Sequence, residues 1–250
     1  MRKLVTVSLC LCVFVVRAYA QQPTSPKSSA PVDITGYWVA MVTEEWRFRM
    51  MTPRKGDYAR VPMTPEARKV ADTWDPAADE AAGNQCKAYG AGAIMRVPTR
   101  LHVTWDNDNT LRIDTDAGTQ TRLFHFDAAP LPKERSWQGY SKAQWEQSGP
   151  GPAARPAAAV SAAKSLKVVT TNMRSGYLRR NGVPYSDNAV VTEYFDVAPL
   201  SNGGGQFQVL LVTTKVDDPQ YLQQPFIVSS QFKKESDGSK WDPKPCSAKW

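Results

Sequence analysis

The chain has 250 residues, of which 42% are hydrophobic and 22% charged, with a formal net charge of +7. This length fits a single all-β domain whose core needs neither a metal nor extra cross-links. The basic residues are scattered, with compact pairs at Arg179–Arg180 and Lys233–Lys234, so their distribution does not favour nucleic-acid binding.

Residues 1–20 have the pattern of a secretory signal peptide. Arg2 and Lys3 form a basic start, Leu4–Val16 is apolar, and Ala18-Tyr19-Ala20 is a cleavage motif. The apolar run is short for a bilayer, so we expect no integral membrane segment after cleavage, a membrane anchor being the alternative. We therefore expect a protein of the periplasm or the extracellular space, with a formal charge of +4 once the three basic residues of this segment are removed.

Export would leave two cysteines in the mature chain, Cys86 and Cys246. In an oxidising compartment an even pair predicts a disulfide. This bond would close a loop of about 160 residues and stabilise the protein by about 3 to 5 kcal/mol in the chain-entropy view. Two free buried thiols are the alternative.

The mature chain begins with residues 21–33, which are rich in Pro, Ser and Gln and are predicted to be a disordered lead-in. Residues 34–250 are predicted to form one β domain. Within that domain, residues at about 147–165 are rich in Pro, Ala and Gly and nearly lack large apolar side chains. We interpret them as a flexible insertion between strands.

Two aromatic-rich segments, Gly36–Thr43 and Trp46–Met51, are predicted to be strands. Alternation in the second segment places Trp46 on one face and both Arg47 and Arg49 on the other. Two guanidinium groups on one face could hold an anion or carboxylate in a cavity. A solvated outer face is the alternative reading of the same pattern.

Two short helices are predicted next, packed on the sheet as a lid or plug. Thr64 is a suitable N-cap for the first helix, with Pro65 in its first turn. Asp75 can cap the second helix, which Gly83 would end.

Arg100–Phe126 predicts three consecutive antiparallel strands joined by polar turns. Leu101, Val103 and Trp105 alternate with polar residues, which is the period-2 pattern of a strand with one buried face. By this alternation His125 shares a face with Leu123, and we expect it to point into the core. Further strands are predicted at Leu166–Thr171, Asn188–Asp196, Phe207–Val216 and Pro225–Phe232.

About nine strands and one or two short helices favour a mainly β fold. We expect an antiparallel meander that closes into a lipocalin-like barrel or a barrel-like sandwich.

Several short motifs resemble those of a large family of exported bacterial β-rich proteins to which no activity is assigned. They occur in the order Cys86, Trp137-x-Gly139-x-Ser141-x3-Trp145-Glu146, Leu166–Thr171, Gly182-x-Pro184-x-Ser186, Thr192-Glu193-x-Phe195, Thr213, Asp218-Pro219-x-Tyr221 and Pro225-Phe226. The chain departs from the usual pattern at Tyr140, where a histidine is common, and in the insertion after Glu146. The resemblance implies an exported β-rich fold and carries no activity with it.

The sequence offers few residues for catalysis. His102 and His125 are the two histidines and have no metal-ligand spacing, so we expect no metal and no cofactor. An isomerase or hydrolase could use His125 with Asp114 or Glu193 as acid and base.

The aromatic-rich strands favour a different function, the binding of a small apolar or amphipathic ligand in the cavity of the barrel. Its predicted lining residues are Trp46, Arg47, Arg49, His125 and Glu193. A structural envelope protein without a pocket is a third possibility.

Overall fold

The computed structural model describes residues 24–147 and 164–249. Its strands and helices are, in chain order, β1 (Gly36–Met41), α1 (Trp46–Arg49), α2 (Pro65–Asp72), α3 (Pro76–Ala81), β2 (Arg100–Asn107), β3 (Thr110–Thr115), β4 (Ala117–Gly118), β5 (Gln120–His125), β6 (Tyr140–Gln147), β7 (Lys164–Thr171), β8 (Gly176–Arg179), β9 (Val183–Tyr185), β10 (Val190–Asn202), β11 (Gly205–Asp217), β12 (Phe226–Lys234) and β13 (Lys244–Pro245). Two 3-10 turns, Lys87–Tyr89 and Ile94–Arg96, precede β2. The predicted signal peptide and nearly all of the predicted insertion lie outside the described residues.

Nine strands form a closed barrel, in the order β1, β12, β11, β10, β7, β6, β5, β3 and β2. Eight neighbouring pairs are antiparallel, whereas β5 and β6 run parallel. An odd number of strands cannot close a ring with antiparallel pairs alone, because strand direction must reverse an even number of times. Residues 126–139 therefore cross back along the barrel before β6 begins. The predicted mainly β barrel is confirmed.

The three strands predicted in Arg100–Phe126 are β2, β3 and β5, which pair in sequence. Their inward side chains are buried, as the alternation required, except that Trp105 near the end of β2 is only partly buried. The core cluster inside the barrel includes Trp38, Leu101, Val103, Leu111, Ile113, Phe124, Leu166, Val168, Phe195, Leu210, Val212 and Phe232, with Ile94 and Met95 from the second 3-10 turn. These side chains fill the interior at the level of the core.

The two predicted helices are confirmed as α2 and α3. The hydroxyl oxygen of Thr64 accepts a hydrogen bond from the Ala67 amide at 3.1 Å. The carboxylate of Asp75 accepts from the Ala77 and Ala78 amides at 2.9 and 3.1 Å. The buried face of α2 packs in a second apolar cluster with the β8–β9 hairpin, which the sequence reading did not predict.

A disulfide joins Cys86 to Cys246, as the cysteine count predicted. It holds the C-terminal segment near the connection between β3 and β5, where β13 pairs with β4. Because the bond spans 160 positions of the sequence, it removes a large loop from the unfolded ensemble.

Three expectations from the sequence differ from the structure. Trp46–Met51 is not a strand, because Trp46–Arg49 forms a single helical turn with both Phe48 and Arg49 buried. His125 does not point into the core: Arg122 and Phe124 are the buried residues of β5, and Leu123 on the other face is exposed. Residues 24–33, part of the predicted lead-in, contact the barrel, and the carbonyl of Pro26 accepts a hydrogen bond from the Trp145 indole at 3.0 Å.

Along residues 24–147 and 164–249, no helix combines the length and the apolar character needed to cross a bilayer.

Candidate functional site

A cavity of about 400 Å³ lies beside the barrel wall, where β1 ends before its neighbour. β1 pairs with β12 only from Gln231 to Lys234, although β12 begins five residues earlier, at Phe226. Among the described strands, this first part of β12 is therefore bordered on one side only, by β11. The cavity is lined by Glu44, Glu45, Arg49, Arg96, Ile227, Val228 and Ser229. Its volume is within the usual range for small-molecule sites.

The chain reaches this cavity through a backbone reversal at Glu45. Its φ of 48° lies in the left-handed region, which is uncommon for a residue with a side chain. The carbonyl of Glu45 then accepts hydrogen bonds from the Phe48 and Arg49 amides, and α1 forms. Phe48 packs below the guanidinium of Arg179, whose central carbon is 4.1 Å from the ring centroid. This contact fixes the turn so that Arg49 faces inward.

Arg49 is the central side chain of the cavity and is only 4% exposed. Its Nε donates a hydrogen bond to the Arg96 carbonyl at 2.9 Å. Neither of its two terminal nitrogens has a hydrogen-bond partner within residues 24–147 and 164–249. A buried guanidinium with unpaired N–H groups is costly, and such groups normally mark a bound water, ion or ligand.

Arg96 and Arg179 extend the cationic cluster behind Arg49. Arg96 pairs with the carboxylate of Glu45, and Arg179 lies 3.6 Å from the other oxygen of the same carboxylate. Arg179 also donates to the Ala59 carbonyl at 2.7 Å. Both arginines are at least as buried as their shared partner, so one carboxylate serves two buried guanidinium groups.

Burial lowers the pKa values of all three arginines. Burial lowers the pKa of Arg49, and the nearby charge of Arg96 lowers it further. Burial also lowers the pKa of Arg96, which Glu45 partly offsets. For Arg179, burial and then the charge of Arg96 lower the pKa to about 10. All three groups are cations at neutral pH, because a guanidinium is not deprotonated in proteins.

Two arginines, Arg49 and Arg96, and two glutamates, Glu44 and Glu45, line the cavity. The carboxylate of Glu45 is shared, because Arg96 and, behind the cavity, Arg179 both approach it. Glu44 is also engaged by the side-chain amide of Gln231 at 3.0 Å. Both glutamates are thus engaged by other side chains, and the unpaired terminal nitrogens of Arg49 suit a ligand that carries a negative charge.

Exposed apolar side chains accompany this charged group. On α1 and just after it, Trp46 is 62% exposed and Met50 57% exposed, one helical turn apart. Ile227, in the cavity wall, is 60% exposed. Large apolar side chains exposed beside a charged pocket are typical of a surface that binds an amphipathic molecule.

The five predicted lining residues are not brought together. Of these, Arg49 lines the cavity, and Trp46 lies on the same helical turn. Arg47 points away and pairs with Asp57 at the surface. His125 stacks on Tyr140 and is 3.4 Å from the hydroxyl of Thr110, without a hydrogen bond to a carboxylate in the described part of the chain.

Glu193 lies inside the barrel and is completely buried. Its two carboxylate oxygens accept hydrogen bonds from Arg122 at 3.0 and 2.6 Å. Arg122 is 1% exposed and also reaches the hydroxyl of Thr170 at 3.3 Å. This pair lies within the core, where Nε of Arg122 has no partner among the described residues. Its position gives the predicted acid–base arrangement of His125 with Glu193 no support.

Sequence reasoning missed Arg96 and Arg179. Arg96 stands between Met95 and Val97 in an otherwise apolar run, and a lone charge in such a run is the signal that could have identified it. Arg179 belongs to a compact basic pair, but its approach to Glu45 spans more than half of the sequence and requires the barrel topology.

No family model, curated protein or solved structure matches this chain.

Proposed function

We propose that this protein binds a small amphipathic anion, a carboxylate with an apolar tail, in the cavity at the open part of β12. The unpaired terminal nitrogens of buried Arg49 carry this proposal, because they are preorganised donors that no described residue satisfies. A carboxylate would accept both N–H groups side by side, which is the geometry that guanidinium groups favour.

The apolar part of the ligand would extend over Ile227 and Val228 toward Trp46. Burial of apolar ligand surface there would contribute most of the affinity, whereas Arg49 would select the charge. The site is thus at the wall of the barrel and not along its axis, since core side chains occupy the axis.

We further propose that the protein is exported and works in the periplasm or outside the cell. The bonded Cys86–Cys246 pair supports an oxidising compartment. The signal-peptide pattern of residues 1–20 and the resemblance to exported β-rich proteins point the same way.

The test is isothermal titration calorimetry with decanoate and with decan-1-ol, which share a tail and differ in charge. We expect decanoate to bind the wild-type protein and decan-1-ol to bind at least tenfold more weakly. Replacing Arg49 by Met keeps the apolar stem and removes the donors. We expect this variant to bind decanoate about 30-fold more weakly, which corresponds to about 2 kcal/mol for a charged hydrogen-bonded contact.

Arg47→Met is the matched control, because Arg47 precedes Arg49 on the same helical turn but pairs with Asp57 at the surface. We expect this variant to bind decanoate like the wild type. Equal loss in both variants would show that general surface charge attracts the ligand. Equal binding of decanoate and decan-1-ol would refute the role of the cationic cluster.

A further inference from the structure

A second cavity, of about 270 Å³, lies between the α2–α3 segment and the β8–β9 hairpin. It belongs to a different part of the molecule from the cavity at Arg49, and the two share none of their lining residues. Its volume is just below the usual range for small-molecule sites, which suits a ligand of about one six-membered ring.

Polar groups at one side of this cavity form a closed triad. The carboxylate of Asp79 accepts a hydrogen bond from the Lys87 ammonium at 2.6 Å and another from the Tyr177 hydroxyl at 2.8 Å. The Lys87 nitrogen also lies 3.4 Å from the Tyr177 oxygen. Asp79 is 7% exposed, so the triad is held at the base of the cavity.

The protonation state of Tyr177 is fixed at neutral pH. Burial raises the pKa of Tyr177, and its hydrogen bond to Asp79 raises it further, so the hydroxyl stays protonated. A tyrosine in this state cannot serve as a base at neutral pH. The triad instead presents fixed donors and acceptors, with carboxylate lone pairs and an ammonium proton left for a ligand.

Aromatic and ring side chains form the other side of the cavity. Trp74 and Tyr221 are half-buried, and Pro184 adds a further apolar surface. Gly182 holds Trp74 in place: its φ is +83°, and a Cβ there would come within 2.3 Å of the Trp74 Cβ. Any side chain at position 182 would therefore displace Trp74.

The charges of the triad compensate one another, since Asp79 pairs with Lys87. A ligand with a net charge would find no unpaired opposite charge in the triad, whereas a neutral ligand would not need one. The cavity has polar groups on one side and aromatic rings on the other. A ligand that matches it is a saturated ring with hydroxyl groups around its edge and C–H groups on its faces.

We infer that this cavity is a binding site for a neutral pyranose sugar. The C–H face of the ring lies against Trp74 and Tyr221, and its hydroxyl groups bond to Asp79 and Lys87. This site is independent of the proposed anion site, so either proposal can fail without the other.

Saturation-transfer NMR with three methyl glycosides, of glucose, galactose and N-acetylglucosamine, tests this inference. We expect at least one of them to receive saturation from the protein, and decanoate not to displace it. Glucuronate and glucosamine, which carry a charge on the same ring, should bind at least fivefold more weakly than their neutral counterparts. Absence of transfer to all three glycosides, or equal binding of the charged rings, would overturn the inference.

Two variants localise the binding. Tyr221→Ala removes a ring at the rim, and we expect it to weaken glycoside binding about tenfold without loss of the folded circular dichroism spectrum. Asp79→Asn keeps the shape of the triad and removes the paired charge, with a similar expected loss. Trp241→Ala is the control, because this ring packs beside Tyr37 and His102 elsewhere. Unchanged binding in Tyr221→Ala would place the sugar elsewhere and refute this site.

Discussion

Replacing Glu193 by Gln should destabilise the protein severely without changing the binding of decanoate. Glu193 and Arg122 are 0% and 1% exposed and share two hydrogen bonds, at 3.0 and 2.6 Å. The amide of Gln keeps one acceptor, but the buried guanidinium then lacks a compensating charge. Breaking a buried ion pair from one side costs about 3 to 5 kcal/mol, and the retained acceptor favours the lower end, about 3 kcal/mol.

Urea denaturation followed by circular dichroism measures this loss. With a slope of about 2 kcal/mol per molar urea, a change of about 3 kcal/mol lowers the midpoint by about 1.5 M. The pair between Lys167 and Glu146 is a matched control, since its contact distance is also 3.0 Å but both side chains are about one-third exposed. We expect Glu146→Gln to leave the midpoint nearly unchanged, because water screens this pair.

A double variant separates the cost of the unpaired charge from the value of the pair. Arg122→Met with Glu193→Leu removes both charges, and we expect it to recover most of the stability lost in Glu193→Gln. A Glu193→Gln variant within about 1 kcal/mol of the wild type would refute the reasoning, since it would mean that water reaches the pair. Weaker decanoate binding in the same variant would instead restore Glu193 as a lining residue.

Three further changes test the caps, the cross-link and the pH response of the fold. Replacing Cys86 and Cys246 by Ala should lower the free energy of unfolding by about 3 to 5 kcal/mol in urea, and an unchanged midpoint would contradict this. Thr64→Ala should cost about 1 kcal/mol through the lost cap on α2, measured by the same method, and Thr64→Ser should restore it. At Asp114, burial raises the pKa, but hydrogen bonds from Arg112 and Thr121 outweigh it and hold the pKa below its usual range. Its stabilising effect is therefore complete above the unfolded pKa of about 3.9 and is lost as the pH falls through the lower folded pKa. Asp114→Asn should flatten thermal stability over this acidic interval, and an unaltered acid limb would contradict the assignment.

The barrel was predictable where hydrophobic alternation was long and regular. Arg100–Phe126 alternates over three strands, and a shift by one residue would expose its apolar face, so the pattern determines the register. Trp46–Met51 alternates over only six residues, too few to separate a strand from a helical turn. There the packing of Phe48 on Arg179 decides the conformation, and that contact joins distant parts of the chain.

The same distinction explains which charged residues could be interpreted from the sequence. Arg122 lies on the same face of β5 as Phe124, and Glu193 lies on the same face of β10 as Val191 and Phe195. Alternation alone did not decide which face of β5 is buried, because Leu123 on the other face led to the prediction that His125 points inward. That these two charges meet follows only from closure of the barrel through β6 and β7. The cluster at Arg49 could not be predicted in this way, because α1 has only four residues and is too short to show a helical period in the sequence.

Arg49 and Arg122 are buried to a similar degree, but the barrel supplies a complete carboxylate to Arg122 and no acceptor to the terminal nitrogens of Arg49. Without a ligand, Arg49 therefore carries a desolvation cost of about 1 to 3 kcal/mol that Met at the same position would avoid. We expect Arg49→Met to melt at an equal or higher temperature than the wild type in buffer, and to lose the rise in melting temperature that decanoate gives the wild type. A guanidinium that served only the fold would give the reverse order in buffer. Differential scanning calorimetry with and without decanoate thus separates a group kept for binding from one kept for stability.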